Sequence, residues 1–203
     1  MIRALMLDID GVVIRPGDGR HWASNLENDL GLSPIALQNH FFDPHWEQIV
    51  TGRLGLHECL ATVLQSIAPA ITPEQFVAYW FERDAVLDEE VLHDLRIIRS
   101  LGLPVYLASN QEHLRVRHLM DVVGLSSQVD GCYYSAALGH RKPHRAFFKA
   151  VQSKIGLPTA DLLLLDDSEE NVSAAIAAGW SAEHWTPAKS LREIVAPLIG
   201  FDH

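Results

Sequence analysis

The chain alternates short apolar runs with segments whose apolar residues recur at helical spacing, apart from one stretch near its start. Apolar runs lie at residues 4–7, 105–108 and 162–165, a less apolar one at 131–134, and the weakest within 180–185. Continuous runs of this length are typical of strands buried on both faces of a parallel sheet. The segments around them predict helices over residues 88–100, 111–123, 143–154, 168–178 and 191–198. This alternation predicts the α/β class, with a Rossmann-like parallel sheet flanked by helices.

Residues 15–84 have a different pattern, with apolar positions at helical spacing and no convincing strand. Helices are expected near residues 22–30, 34–41, 56–67 and 73–81, separated by glycines and prolines. A helical block between the first strand and the rest of the sheet predicts an all-helical cap domain, which we call the insertion. The predicted α/β core then comprises residues 1–14 and 85–203, with hinges expected near residues 15–19 and 84–87.

Aromatic residues are frequent in the insertion. Five of them at helical spacing are expected to form its core, namely Trp22, Phe41, Phe42, Trp80 and Phe81. The candidates to face the cleft between insertion and core are Arg20, His21, His45, Trp46 and Arg53, and of these His45 and Trp46 are the ones expected to select the substrate.

Composition and charge narrow the class of partner. The chain has 203 residues, 48% hydrophobic and 21% charged, with a formal net charge of -10. This charge argues against nucleic acid or an anionic membrane as the main partner. Cys59 and Cys132 lie far apart without a metal-binding or disulfide spacing, and Asp8 and Asp10 interrupt the first apolar stretch. We therefore expect a soluble cytoplasmic protein, as a monomer or small homo-oligomer.

Polar residues follow the predicted strands where each strand ends. Asp8 and Asp10 follow the first, Ser109 and Asn110 the second, and Asp166 and Asp167 the fourth, while Lys142 precedes a helix. Because the carboxyl ends of parallel strands meet at one edge of a sheet, we expect these groups to converge. Acidic clusters, a hydroxyl and a lysine at such an edge favour a site for Mg²⁺ and a phosphate.

These segments resemble the four motifs of the haloacid dehalogenase-like hydrolase superfamily, in the same order along the chain. The motifs are Asp8-Ile9-Asp10-Gly11-Val12, Ala108-Ser109-Asn110, Arg141-Lys142-Pro143, and Leu165-Asp166-Asp167-Ser168 with Asn171. The resemblance covers essentially the whole chain and is greatest to the small-molecule and sugar-phosphate phosphatase branch. One departure is His144, since several relatives have an acidic residue directly after the Lys-Pro pair.

The resemblance implies a role for each residue. Asp8 would attack phosphorus and form an aspartyl-phosphate, and Asp10 would serve as general acid and then general base. Ser109 and the Asn110 backbone would hold phosphoryl oxygens, and Lys142 would neutralise the phosphate and the nucleophile.

The resemblance also implies the ligands of Mg²⁺. They would be the Asp8 and Asp167 carboxylates and the Asp10 backbone carbonyl, with Asp166 orienting metal-bound water. The reverse assignment of Asp166 and Asp167 stays open.

The function predicted from these residues is a Mg²⁺-dependent phosphomonoesterase acting on a small phosphorylated metabolite, with a sugar phosphate as the expected ester. The alternatives are a phosphomutase, a 2-haloacid dehalogenase, and a non-catalytic phosphate-binding or phosphoacceptor regulatory protein. Asp10 argues against the dehalogenase, because chloride leaves without a proton and the dehalogenases of the superfamily lack an aspartate there. The acidic pair after the lysine and the insertion argue against a phosphoacceptor receiver.

Overall fold

A five-stranded parallel sheet forms the centre of the protein in this computed structural model, which describes residues 1–15 and 19–199. The strands are β1 (Ala4–Leu7), β2 (Val105–Ser109), β3 (Gly131–Tyr134), β4 (Leu162–Asp166) and β5 (Ser181–His184). Their order is β3-β2-β1-β4-β5, so β1 is the central strand. Leu7 pairs with Leu107 of β2 on one side and Leu165 of β4 on the other, which brings the carboxyl ends of these three strands level.

Between β1 and β2 the described part of the insertion, residues 19–84, is entirely helical. A 3₁₀ turn (Trp22–Asn25) and a π-helical turn (Gln38–Phe42) accompany α1 (Leu26–Leu30), α2 (Pro34–Leu37), α3 (Asp43–Val50), α4 (Leu56–Ile67) and α5 (Pro73–Arg83). A capping box starts α5: the Thr72 hydroxyl accepts from Gln75 N–H, and the Gln75 side chain accepts from Thr72 N–H. These helices enclose a hydrophobic cluster that includes Phe41 and Phe76.

The remaining helices cover the two faces of the sheet. They are α6 (Glu89–Ser100), α7 (His113–Arg117) with a continuing π-helical turn (His118–Val122), α8 (Ser135–Leu138), α9 (Arg145–Ile155), α10 (Glu169–Ala177) and α11 (Leu191–Ile199). Two 3₁₀ turns lie at Leu125–Ser127 and Thr159–Asp161. Leu5 and Leu7 of β1 face the α6 and α11 side, whereas Ala4 and Met6 face the α9 and α10 side. The predicted fold class, an α/β sheet flanked by helices with a helical insertion, is confirmed.

The two chain crossings between core and insertion run side by side. Ile14 forms an antiparallel bridge with Leu87, and Arg15 N–H donates to Val86 O at 3.0 Å. Residues 16–18 of the first predicted hinge lie outside the described residues. The domain boundaries and the hinges stay predictions.

Three local features differ from the sequence interpretation. The helix α3 was not predicted; its first turn contains Pro44, at a position where a proline is tolerated. Pro143 does not open α9; the Lys142–Pro143 bond is cis, His144 is the N-cap and the helix starts at Arg145. The short helix α8 was also missed.

Among the described residues, no helix is long and apolar enough to cross a membrane.

Candidate active site

Four polar side chains meet at the carboxyl edge of the sheet. Asp8 directly follows β1, Ser109 is the last residue of β2, and Asp166 is the last residue of β4. The loop between α8 and α9 carries Lys142 to the same place, where its ammonium group contacts Asp8 and Asp166. The strand ends therefore bring together the residues that the sequence analysis expected at one edge.

Lys142 is fully buried between two carboxylates. Its Nζ lies 2.5 Å from Asp166 Oδ2 and 3.1 Å from Asp8 Oδ1. Burial opposes the charged ammonium, but the charges of Asp8 and Asp166 outweigh burial and raise the pKa of Lys142. A buried cation stabilised by two anions in this way remains protonated near neutral pH.

Asn110 holds the backbone of Lys142 from both sides. The Asn110 side chain accepts from Lys142 N–H at 2.8 Å and donates to Lys142 O at 3.0 Å. The sequence analysis assigned phosphoryl binding to the Asn110 backbone and left its side chain without a role. In the structure, these two hydrogen bonds of the Asn110 side chain hold the lysine loop in place.

Asp8 is buried and lies close to charged groups of both signs. Its Oδ1 accepts from Ile9 N–H at 2.7 Å. Burial raises its pKa to about 6, with further upward contributions from Asp166 and Asp10, against the lowering effects of Lys142 and a Ser109 hydrogen bond. A divalent cation beside Asp8 would favour the carboxylate form that a nucleophile needs.

Three carboxylates form the group that could hold a metal ion. One oxygen each of Asp8, Asp166 and Asp167 lies within 4.8 Å of the others. Hard oxygen ligands of this kind suit Mg²⁺. Gly11 leaves room for the group: it has a φ of 80°, and a Cβ there would overlap the Asp167 carboxylate.

The two neighbouring aspartates have different surroundings. Both Asp166 oxygens are used, since Oδ1 accepts from Ser168 N–H and the Asn171 side chain and Oδ2 accepts from Lys142. The Asp167 carboxylate is exposed and receives no hydrogen bond from any other residue of the described chain. This contrast favours Asp167 as the direct metal ligand.

Asp10 is held by two residues that the sequence analysis did not identify. Arg115 Nη2 donates to Asp10 Oδ1 at 3.1 Å, and Gln111 Nε2 donates to Asp10 Oδ2 at 2.5 Å. Arg115 is only 2% exposed, and it also contacts Asp84 at the end of α5, with Nη2 2.5 Å from its carbonyl oxygen. The sequence offers one signal for this pair, since Gln111 and Arg115 lie four residues apart directly after the second motif.

A cleft of about 470 Å³ separates the insertion from the lysine loop. Trp46 and Glu47 of α3 line it together with Trp22, Phe42, Trp80 and Arg141. Arg141, next to Lys142, forms an ion pair with Glu47 at 2.8 Å. His45 is not among the described residues that line this cleft, so of the two predicted specificity residues only Trp46 lies there.

Two of the five aromatic residues expected in the core of the insertion are less buried than the other three. Phe41, Trp80 and Phe81 are buried as expected. Trp22 and Phe42 pack against the same cluster but are only partly buried, and they also line the cleft. Helical spacing identified the face they share but not the cavity that the face borders.

Comparison with known proteins places this chain in one family. Residues 2–179 match the family model of the haloacid dehalogenase-like hydrolases. The chain belongs to this family, as the four motifs predicted, and the prediction of a hydrolytic enzyme is confirmed.

Curated relatives extend over most of the chain. A sesquiterpene phosphatase of Aspergillus oryzae is 26% identical over 200 residues, which cover 98% of this chain and 97% of the relative. A phosphoglycolate phosphatase of Pectobacterium atrosepticum is 29% identical over 194 residues, which cover 88% and 77%.

Solved structures of low sequence identity share the fold. A HAD family enzyme of Bacteroides thetaiotaomicron superposes with a TM-score of 0.81 at 20% identity, over 95% of this chain and 98% of the other. A mutant of that enzyme, solved in complex with magnesium and inorganic phosphate, has a TM-score of 0.80 at 20% identity, covering 96% and 99%. An L-2-haloacid dehalogenase of Xanthobacter autotrophicus has a TM-score of 0.65 at 19% identity, covering 98% and 83%.

Proposed function

We propose that the protein is a Mg²⁺-dependent phosphomonoesterase that hydrolyses a small phosphorylated metabolite through an aspartyl-phosphate. The observation that carries the proposal is the placement of the Lys142 ammonium between Asp8 and Asp166, beside the exposed carboxylate of Asp167. A dianionic phosphoryl group needs positive charge on its oxygens, and an anionic nucleophile must approach it against repulsion. The phosphatase names of the curated relatives support this choice.

The reaction would proceed in two steps that use the same residues. In the first, an Asp8 carboxylate oxygen forms a bond to phosphorus while the ester P–O bond breaks, and Asp10 donates its proton to the leaving alkoxide. In the second, Asp10 takes a proton from water, whose oxygen attacks phosphorus and releases inorganic phosphate and free Asp8. Lys142 and Ser109 would stabilise charge on the phosphoryl oxygens in both steps.

Mg²⁺ would be held by the Asp8 and Asp167 carboxylates, with the Asp10 backbone carbonyl as the third protein ligand implied by the family. When bound, it supplies electrostatic stabilisation of the phosphoryl oxygens. Asp166 would act indirectly, because its oxygens are engaged with Lys142, Ser168 and Asn171.

Asp10 favours a phosphatase over a 2-haloacid dehalogenase. Its carboxylate is held at the catalytic edge by Gln111 and Arg115. An alkoxide leaving group needs a proton donor there, whereas chloride does not. A phosphomutase would use the same residues and differ only in the acceptor of the phosphoryl group, so its test is the balance between isomerised ester and released phosphate.

The proposal is tested by phosphate release from a panel of sugar, alkyl and nucleotide monophosphates, with Mg²⁺ or with excess chelator. We expect release with Mg²⁺ that is lost in Asp8→Asn and retained in Asp161→Asn, a control at the opposite end of β4. Folding of both variants is checked by thermal unfolding. Chloride release from a 2-haloacid without phosphate release from any ester would contradict the proposal. The sugar phosphate, the cytoplasmic location and the oligomeric state stay predictions.

A further inference from the structure

The cleft beside the lysine loop is walled by aromatic rings that contact one another. Trp80 stacks on Trp22 with ring centroids 5.3 Å apart, and Phe42 and Trp46 lie 5.6 and 5.8 Å from Trp80. Trp80 is buried, but Trp22, Phe42 and Trp46 keep part of their surface exposed around the cavity. Contact between exposed aromatic surface and water is unfavourable, and a contiguous exposed patch of this kind often marks a ligand-binding site.

Apart from the tryptophans, five polar side chains line this cleft; four of them pair with one another, and the fifth, His21, accepts from Ala23 N–H at 3.3 Å. Arg141 Nη1 lies 2.8 Å from Glu47 Oε2, and Gln38 Nε2 donates to Asp43 Oδ1 at 2.6 Å. A sugar would have to replace these contacts in order to satisfy its hydroxyl groups, and a buried hydroxyl without a partner is unfavourable. A hydrocarbon group needs no such partners and gains from contact with the rings.

No catalytic residue lines the cleft, but its walls are joined to the catalytic residues by hydrogen bonds at two places. On one wall, Arg141 directly precedes Lys142 and its Nε donates to Lys142 O at 3.2 Å. On the other, Trp80 Nε1 donates to Asp84 Oδ2 at 3.0 Å, and Asp84 is an ion-pair partner of Arg115. Arg115 in turn binds Asp10, the proposed proton donor to the leaving oxygen. The organic part of a substrate begins at that oxygen, and one chain of contacts through Asp84 and Arg115 connects it with the wall of the cleft.

We propose that this aromatic cleft binds the hydrocarbon part of a phosphate monoester of an apolar alcohol, in preference to a sugar phosphate. The inference rests on the proposed phosphatase function and narrows its substrate class. Aromatic and apolar lining with few available polar groups is typical of sites for apolar ligands, and the volume of about 470 Å³ lies within the usual range of such sites.

The experiment compares esters that differ in the alcohol but share a primary alkyl leaving oxygen. Citronellyl and phenylethyl monophosphates are measured against glucose 6-phosphate and glycerol 3-phosphate as kcat/KM with Mg²⁺. We expect the apolar esters to be preferred by roughly tenfold or more, the scale of discrimination that an apolar pocket provides. Trp46→Ala should remove most of this preference through KM, and Trp46→Phe should restore part of it. Ile35→Ala, which removes an exposed apolar residue of the insertion, is the matched control and should leave the preference unchanged.

A second readout does not depend on turnover. Calorimetric binding of citronellyl phosphonate to Asp8→Asn should be tighter than binding of glucose 6-phosphate, and Trp46→Ala on that background should remove the difference. Glucose 6-phosphate as the best ester, or an equal loss for all esters in Trp46→Ala, would overturn the inference while leaving a phosphatase. No Mg²⁺-dependent release from any ester would instead overturn the proposed function.

Discussion

Arg115 Nη2 lies 3.1 Å from Asp10 Oδ1 although Arg115 comes from the helix after β2 and Asp10 from the loop after β1. The same Nη2 is 3.2 Å from Asp84 Oδ2, at the end of the last helix of the insertion. Arg115 is almost fully buried, whereas the Asp10 side chain is 53% exposed. A rigid guanidinium therefore orients a half-exposed carboxylate and connects it to the insertion.

The first prediction concerns this orientation. Arg115→Met should lower kcat/KM for an alkyl phosphate by about 10²-fold, a general acid's usual contribution, because Asp10 loses the partner of Oδ1. It should affect p-nitrophenyl phosphate much less, since that leaving group departs without a proton. Steady-state kinetics with both esters make the comparison, because kcat/KM reports the steps up to the first release of product.

The control for this prediction is Arg117→Met, an exposed arginine on the same helix. It should leave both esters unchanged. Thermal unfolding of each variant separates misfolding from a catalytic effect. Equal losses for the two esters in a folded Arg115→Met protein would contradict the positioning role of Arg115.

The buried lysine predicts a second effect, on stability. Lys142→Met removes the cation and leaves Asp8 and Asp166 close together without it. We expect the free energy of unfolding to fall by about 3–5 kcal/mol, the usual effect of breaking a buried ion pair. Adding Asp166→Asn should recover part of the stability, because the uncompensated charge is removed, but not the activity. Urea unfolding measures both variants.

Lys149→Met, an exposed lysine of α9, is the matched control and should change the free energy of unfolding little. If Lys142→Met were as stable as the wild type, the ammonium would not be the group that holds the two carboxylates together.

The residues that could be predicted from the sequence are those placed by local patterns. Asp8 directly follows a buried strand and Ser109 and Asp166 each end one, and parallel pairing alone brings them together. Arg115 was not predicted, because an arginine in an amphipathic helix ordinarily faces water, and only tertiary packing places it between Asp10 and Asp84.

The aromatic cleft shows the same limit. Helical spacing indicates which residues share a face, and Trp22 and Phe42 were therefore expected in the core of the insertion. Whether such a face packs fully or borders a cavity depends on neighbouring helices, here including α3 (Asp43–Val50), which was not predicted from the sequence.

A third prediction distinguishes the two neighbouring aspartates as metal ligands. Asp167→Asn should weaken Mg²⁺ binding, measured by calorimetry, by more than roughly tenfold, since loss of even an outer partner of a metal site has an effect of that size. Asp166→Asn should weaken it less and should mainly lower stability, because Asp166 binds Lys142, Ser168 and Asn171. Loss of Mg²⁺ binding in Asp166→Asn with normal binding in Asp167→Asn would establish the reverse assignment.

The last prediction concerns the pH dependence of stability, away from the catalytic edge. Arg99 Nη2 lies 2.7 Å from Asp130 Oδ1, and Val105 N–H donates to Asp130 Oδ2 at 2.8 Å. The Arg99 hydrogen bond is the main cause that lowers the pKa of Asp130 below its usual value. Because the pKa is lower in the folded state than in the unfolded chain, the pair contributes stability above pH 4, roughly the ordinary aspartate pKa. This stability is lost as pH falls through the folded value.

Both side chains are about one-third exposed, so the free energy of unfolding of the wild type should exceed that of Asp130→Asn by only about 0.5–1 kcal/mol at pH 7. Urea unfolding of both proteins across the acid range should show this difference shrinking as pH falls, and a difference that grows towards low pH would contradict the assignment.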